Sequence, residues 1–411
     1  MHAELAKGGQ QLLKVINRMT VVRHLCATPG ASRADLATAV GLTKSTVSSS
    51  VRDLISQGWI VERDVVATGD MGRRPTPLFI DETRLLLLGA EVGVESVRVV
   101  ATSLTGEIQD SVVAEHGDDR SAGACIAGLS KALLDLQAKF ERERKVVGIG
   151  VGLPGGVQQP GGIVQFAPNL GWRDVPFAAL LTAALRNTPL AQLPLFVQNE
   201  ADVAALGELE FNPLPDANPL IYVSINQGLG AGVIVGDQLL NGSRGYAGEV
   251  GHMVLQFNGP RCSCGRRGCA EALIATGALQ RGSGQDPALR SLDEVRRHLK
   301  RQDPATLKAV ACAGHHLGML LLNLAAAYDP GCIVLGGAAI DVGEPFLQPA
   351  LATLKAFAEA GSSPQPIIRT SCFGSNAVAL GAAALVRYRL TRPALPSTDA
   401  RVVSANLKET A

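Results

Sequence analysis

From Leu85 onward the chain repeats one pattern, and that repetition constrains its fold more than any other feature. The runs LLLLGAEVGV and SVRVVATSLTGEI predict a β-hairpin, KVVGIGVGLPG a buried strand entering a loop, and PLFVQNEADVAALGELEF a strand feeding a helix. The second half opens the same way. LIYVSINQGLGAGVIVGDQLLNG resembles the first hairpin, and GCIVLGGAAI is again a strand running into a glycine turn. Two halves that each open on a hairpin and continue in strand–helix units imply two α/β lobes facing a cleft.

The first 80 residues have a different texture, that of three short helices and a hairpin. Leu12, Val15, Ile16, Met19, Val22 and Leu25 recur at helical spacing until Pro29-Gly30. Ser32, with Asp35 three residues on, is the N-cap of a second helix that stops near Gly41. A third helix from Thr43 to Gln57 turns Val47, Val51, Leu54 and Ile55 inward. Its outward face carries Lys44, Ser45, Thr46, Ser48, Ser49 and Arg52. Helix, glycine turn and helix with small polar and basic residues outward is the helix-turn-helix arrangement, whose second helix enters the major groove. WIVERDVVATGDMGRRPTPLFI then reads as two strands about a glycine-rich tip, making a winged helix. The tip places Arg73 and Arg74 to meet phosphate or a minor groove, and Arg33 starts the second helix. A three-helix bundle with a solvated Lys/Ser face would show the same helices, but it has no need of GRRP at a hairpin tip. Ten Lys or Arg against six Asp or Glu in residues 1–80 supply the positive excess a DNA-binding module requires.

Three of the eight cysteines fall within GPRCSCGRRGCAEA, residues 259–272. The others (Cys26, Cys125, Cys312, Cys332, Cys372) stand apart. No N-terminal stretch has the plan of a signal peptide, and no window approaches the roughly 20 apolar residues a bilayer requires. The expected address is the cytoplasm, where clustered cysteines are metal thiolates sooner than disulfides. Cys262, Cys264 and Cys269, with His252 ten residues upstream of the first, make a closed tetrahedral set for a structural zinc, with no position left for an activated water.

GLGAG (228–232), GSRGYAGEVGHM and CSCGRRGCAEA together resemble the signature of the ROK family of sugar kinases and sugar-responsive repressors on the actin-like ATPase fold. The resemblance runs from Leu85 to about Tyr388, and a winged helix ahead of it distinguishes the family's repressors from its kinases. It implies an N-terminal winged helix-turn-helix (1–82), lobe 1 (83–200), lobe 2 (201–392) with the zinc knot and a last helix returning to lobe 1, and a mobile tail (393–411). It also implies a sugar site built from Asn169, Asn199, Glu200, Glu249, His252 and Glu271, whose carboxylates and amides suit vicinal hydroxyls.

The chain departs from a family kinase in two places. Glu200 stands where the catalytic aspartate is expected, and an extra methylene displaces the carboxylate by roughly an ångström, which can cost about a hundredfold in rate. The phosphate hairpin Asp-x-Gly-Gly-Thr is here Glu91-Val92-Gly93-Val94-Glu95: Val94 blocks close approach of a phosphate and Glu95 opposes its charge. The resemblance therefore implies a non-enzymatic regulator, most similar to the xylose-type repressors: a dimer or higher homo-oligomer that releases operator DNA when a monosaccharide binds. A sugar kinase that also binds DNA, or a repressor gated by a sugar-transport protein, are the competing readings.

Overall fold

The computed structural model describes residues 2–63, 76–116, 119–281, 289–361 and 364–393, with side chains from residue 11 onward. Two compact units are present, one built on residues 1–85 with 387–411 and the other on 86–386.

In the first unit α1 (His2–Ala27), α2 (Arg33–Ala39) and α3 (Lys44–Ser56) are followed by the antiparallel pair β1 (Ile60–Glu62) and β2 (Leu78–Ile80). Ser32 and Asp35 form the expected capping box, and the Thr43 hydroxyl accepts the Thr46 amide to start α3. Val21, Val22 and Leu25 of α1 bury with Leu36, Val47, Val51 and Leu54 to make the core. Ile55 is only half-buried, and Ser50 takes the inward place beside Val51. Arg73 and Arg74 lie outside the described residues, as does the tail from residue 394.

The second unit contains two sheets of identical strand topology. Lobe 1 runs β3 (Leu85–Val92), β4 (Ser96–Thr102), β5 (Ile108–Glu115), α4 (Ala122–Phe140) and β6 (Lys145–Leu153). Then come the three-stranded antiparallel β7 (Gly156–Gln158), β8 (Ile163–Ala167) and β9 (Trp172–Val175), α5 (Phe177–Leu185), β10 (Leu195–Asn199) and α6 (Glu200–Phe211). Lobe 2 runs β11 (Leu220–Ile225), β12 (Leu229–Val235), β13 (Gln238–Leu239), α7 (Ala270–Ile274), α8 (Thr276–Arg281), α9 (Leu292–Lys300) and α10 (Pro304–Tyr328). It ends with β14 (Cys332–Gly336), α11 (Glu344–Gly361), β15 (Ile367–Thr370) and α12 (Ala377–Thr391). The sheet orders are β5-β4-β3-β6-β10 and β13-β12-β11-β14-β15. In each, an antiparallel meander is extended on its first strand by a strand–helix crossover and a further parallel strand.

Each lobe has its own apolar core, one around Leu88, Val99, Leu133 and Val151, the other around Val223, Val233, Leu320 and Leu335. Residues 377–386 of α12 lie directly on the first sheet. A Cβ at Gly150 would come within 1.9 Å of the Ala382 carbonyl oxygen, so only glycine there lets the helix backbone seat on the strand. Against the sequence expectation, one described helix, α10, is long and apolar enough to cross a membrane by composition. Its apolarity has a local use: Leu317, Leu320, Leu321 and Leu324 are buried in the lobe 2 core.

Candidate functional site

The outward face of α3, expected from the sequence to meet DNA, is open. Lys44, Ser45, Ser49 and Arg52 are exposed and Ser48 is half-buried. The Thr46 hydroxyl is 2.8 Å from that of Thr43, so it already has a local partner. Arg33 is ion-paired with Glu62 on β1, and a phosphate would have to compete with that carboxylate.

In lobe 2 the metal-ligating set predicted from spacing is assembled. The ligand atoms of His252, Cys262, Cys264 and Cys269 all lie within 4.8 Å of one another. His252 Nδ1 is 3.7 Å from Cys262 Sγ, and Cys264 Sγ is 3.7 Å from Cys269 Sγ. A tetrahedron with Zn–S bonds of about 2.3 Å has edges of about 3.8 Å, close to these two separations, and three thiols with one imidazole are a donor set that suits zinc. Backbone geometry enforces this: a Cβ at Gly268 (φ +73°) would sit 1.6 Å from the Gln256 carbonyl oxygen, and the Leu255 amide donates to Gly268 O at 2.8 Å. Burial raises the Cys262 thiol and pushes Cys269 up to about 12, so metal uptake must displace protons.

The imidazole ties this knot to the cleft. Its Nδ1 faces the sulfurs and its Nε2 lies 3.8 Å from Glu249 Oε2, so one ring can serve a metal and a carboxylate together. On the far side of the knot Glu271 accepts from Ser263 Oγ at 2.7 Å and from the Leu229 amide at 3.3 Å. Glu271 Oε2 and Asn169 Nδ2 both approach Gly228, at 3.5 and 3.8 Å from where a Cβ would stand. The two lobes thus bring an amide and a carboxylate to one glycine.

Asn169 and Glu200 line a cavity of about 330 Å³ together with Glu91, Val94, Glu95, Asn226 and Gly228. Glu249, His252 and Glu271 stand beside it instead of in its wall. Asn199 departs from the sequence expectation. Its Oδ1 accepts the Ala201 and Asp202 amides and its Nδ2 donates to Gly155 O, so it caps α6 and positions Glu200, with little left for a ligand.

The cleft is rich in carboxyls that burial holds above their ordinary range. Glu200 is open to the cavity on one side but its carboxyl is densely enclosed. Burial, with Glu91 and Glu249 adding, raises it to about 7. Burial also raises Glu91 to about 7 although Arg98, 3.9 Å away, opposes it. Glu249 is raised by burial, and Asp202 is raised well above its ordinary value by burial and then by Glu249. Sequence reasoning missed Asp202, Arg98, Tyr222 and Asn226. Asn226 was visible beside GLGAG; its Oδ1 accepts the Ala338 amide at 2.8 Å and its backbone carbonyl accepts the Thr276 amide. Only the fold brings Arg98 against Glu91, across the β3–β4 pair.

Comparison with known proteins is decisive here: the family model "ROK family" matches residues 87–389. The chain belongs to the ROK family. A winged helix-turn-helix DNA-binding model matches residues 16–61 of this ROK protein. The xylose repressor of Bacillus subtilis (strain 168) is 30% identical to it over 386 residues, covering 92% of this chain and 96% of the repressor. The structure of a ROK family transcriptional regulator, a homolog of the E. coli MLC protein, superposes with a TM-score of 0.76 at 23% identity. That likeness, one of fold, covers 92% of this chain and 97% of that one. A ROK family glucokinase from Streptomyces griseus, in complex with glucose and AMPPNP, gives a TM-score of 0.64 at 25% identity, covering 74% of this chain and 99% of the enzyme.

Proposed function

We propose that this ROK protein is a sugar-responsive transcriptional regulator, a repressor of carbohydrate-use genes that releases operator DNA when a monosaccharide, xylose or a hexose, enters the cleft. The observation that carries the reading is the union in one chain of a winged helix-turn-helix with an open α3 face and a ROK cleft lined by carboxyl and amide groups. Likeness to a xylose repressor over nearly the full length of both chains supports it.

The chemistry of the cleft suits a neutral polyol. Asn169 offers a donor and an acceptor from lobe 1, while Glu271 and Glu249 offer acceptors from lobe 2. Glu200, near half-protonation at neutral pH, can act as either. A phosphate is disfavoured: Val94 and Glu95 line the cavity at the β3–β4 turn, and Glu91 and Glu200 add potential negative charge. The protein is accordingly not an enzyme, with Val94, Glu95 and Glu200 in place of kinase groups.

Zinc, held by His252, Cys262, Cys264 and Cys269, would supply a fixed structural charge that orients the imidazole. His252 in turn holds Glu249 through Nε2, and Ser263 holds Glu271 at the opposite edge. Sugar bridging Asn169 and Glu271 would draw the lobes together and, in a dimer, change the spacing of the two winged helices, lowering operator affinity. Lys44, Ser45, Thr46, Ser48, Ser49 and Arg52 would face the major groove, with Arg33, Arg73 and Arg74 on the backbone or minor groove. Such a regulator works in the cytoplasm, where its DNA is.

The likeness to a glucokinase bound to glucose and AMPPNP favours a sugar kinase that binds DNA as the second reading. Selection of bound fragments from genomic DNA, followed by challenge with single monosaccharides, separates the two. Release by one sugar without ATP supports the regulator. Retention with every sugar, or release only with ATP, would defeat it.

A further inference from the structure

A mainly apolar depression lies away from the sugar cleft. It is a trough of about 530 Å³ between the first half of α10 and the α7–α8 turn, reaching Pro260 of the metal knot. Ala305, Ala309 and Ala313, four residues apart on α10, form one wall, and Ala272, Leu273 and Ala278 form the other. Small side chains on both walls leave room for the large apolar side chains of something else.

On the loop that leads into Pro260 of the trough, Phe257 stands 88% exposed, the most exposed of the large apolar residues among those described. It sits three residues before Pro260 on the loop pinned by Gly268, so the aromatic ring is displayed from rigid backbone. A preorganised aromatic among arginines is the composition of an interface hot spot. Arg261, Arg266 and Arg267 of the knot and Arg281 and Lys308 of the trough are exposed, and His316 adds a sixth potential cation. Among the described residues, no carboxylate lines the trough. Asp303, at the start of α10, is engaged by the Thr306 amide and hydroxyl.

We infer that this trough, with Phe257 and the surrounding cations, docks an acidic amphipathic segment of another protein. Charge decides among the possible occupants. A second copy related by a two-fold axis would set these cations against the same cations. Residues 282–288, GSGQDPA, contain one acid and no large apolar side chain that could fill the trough. A small amphiphilic anion would fill it but leave Phe257 in water. A helix with apolar residues along one face and Asp or Glu at its flanks covers the ring, the trough and the cations together. The inference is independent of which effector occupies the sugar cleft.

The test uses the full-length, zinc-loaded protein and a fluorescein-labelled 18-residue helical peptide with leucines on one face and glutamates flanking them. A second peptide carries lysine at every glutamate position. Anisotropy should show the glutamate peptide binding at least tenfold more tightly than the lysine peptide, with affinity falling as salt rises. Phe257→Ala, and Arg281→Glu combined with Lys308→Glu, should each weaken it about tenfold or more, while the thermal midpoint and monosaccharide affinity stay as in the parent. Equal binding of both peptides, no binding of the glutamate peptide, or variants that bind like the parent would overturn the proposal. So would dissociation of a dimer by Phe257→Ala in sedimentation, which would assign the face to self-association.

Discussion

The two lobes share one strand order but do different things with the turn of their opening hairpin. In lobe 1 the β3–β4 turn carries Val94 and Glu95. The His116 amide donates to Glu95 O at 2.9 Å, and His116 Nε2 lies 3.2 Å from Gly93 O, so the turn is fastened from behind. In lobe 2 the β11–β12 turn is Asn226-Gln227-Gly228, with Glu271 and Asn169 converging on Gly228 and the knot behind Glu271. One scaffold used twice therefore carries an apolar and an acidic side chain at one turn, and an amide and a carboxylate converging on a glycine at the other. Backbone topology fixes where a cleft lies; a few side chains at its turns decide what enters.

If the lobe 2 turn depends on the knot, stripping the metal should have the largest effect. Chelation, or Cys269→Ala, is expected to abolish measurable sugar binding and to lower the thermal midpoint, with the α3 module still folded by circular dichroism. Removing one contact at that turn should be milder. Glu271→Gln loses charge-assisted bonds to Ser263 and the ligand, worth about 1.5–3 kcal/mol, and should weaken the sugar about 10- to 100-fold by calorimetry.

The carboxyls give a pH signature. Glu200 has a folded pKa of about 7 against 4.5 when unperturbed, so the native state retains a proton that the unfolded chain releases. Stability from this group is full below pH 4.5, falls as pH rises to 7, and stays low above it. Glu200→Gln should thus match the parent at the acid end and exceed it above pH 7 by on the order of 2 kcal/mol in denaturant unfolding. A uniform offset at all pH would show that burial is not the cause. Smallest of all, Asn199→Ala should cost about 1 kcal/mol of stability as a lost N-cap, and reduce sugar affinity less than Asn169→Ala does. The reverse order would return Asn199 to the list of ligand contacts.

Much of this was legible in the sequence for identifiable reasons. Hairpins, caps and the metal ligands are local: Ser32 with Asp35, or three cysteines within eight residues, declare themselves by spacing. Repeated hairpin texture pointed to two α/β lobes, and their shared strand order came only with the structure. What escaped were properties created by packing between distant segments. Asn199 read as a ligand group because its other partner, Gly155 O, comes from a different loop. Asp202, in the first turn of α6, carries no local signal of the burial that raises it, with Glu249 adding. The trough on α10 was likewise unreadable, since alanines at four-residue spacing look the same whether a core covers them or not.

The central claim, that the cleft binds a neutral sugar and no nucleotide, is tested most directly by calorimetric titration of the zinc-loaded protein with xylose, glucose and related monosaccharides, with and without a non-hydrolysable ATP analogue. The account predicts heat with one sugar and none with the analogue. Saturable heat with the analogue, or silence across the sugars, would contradict it.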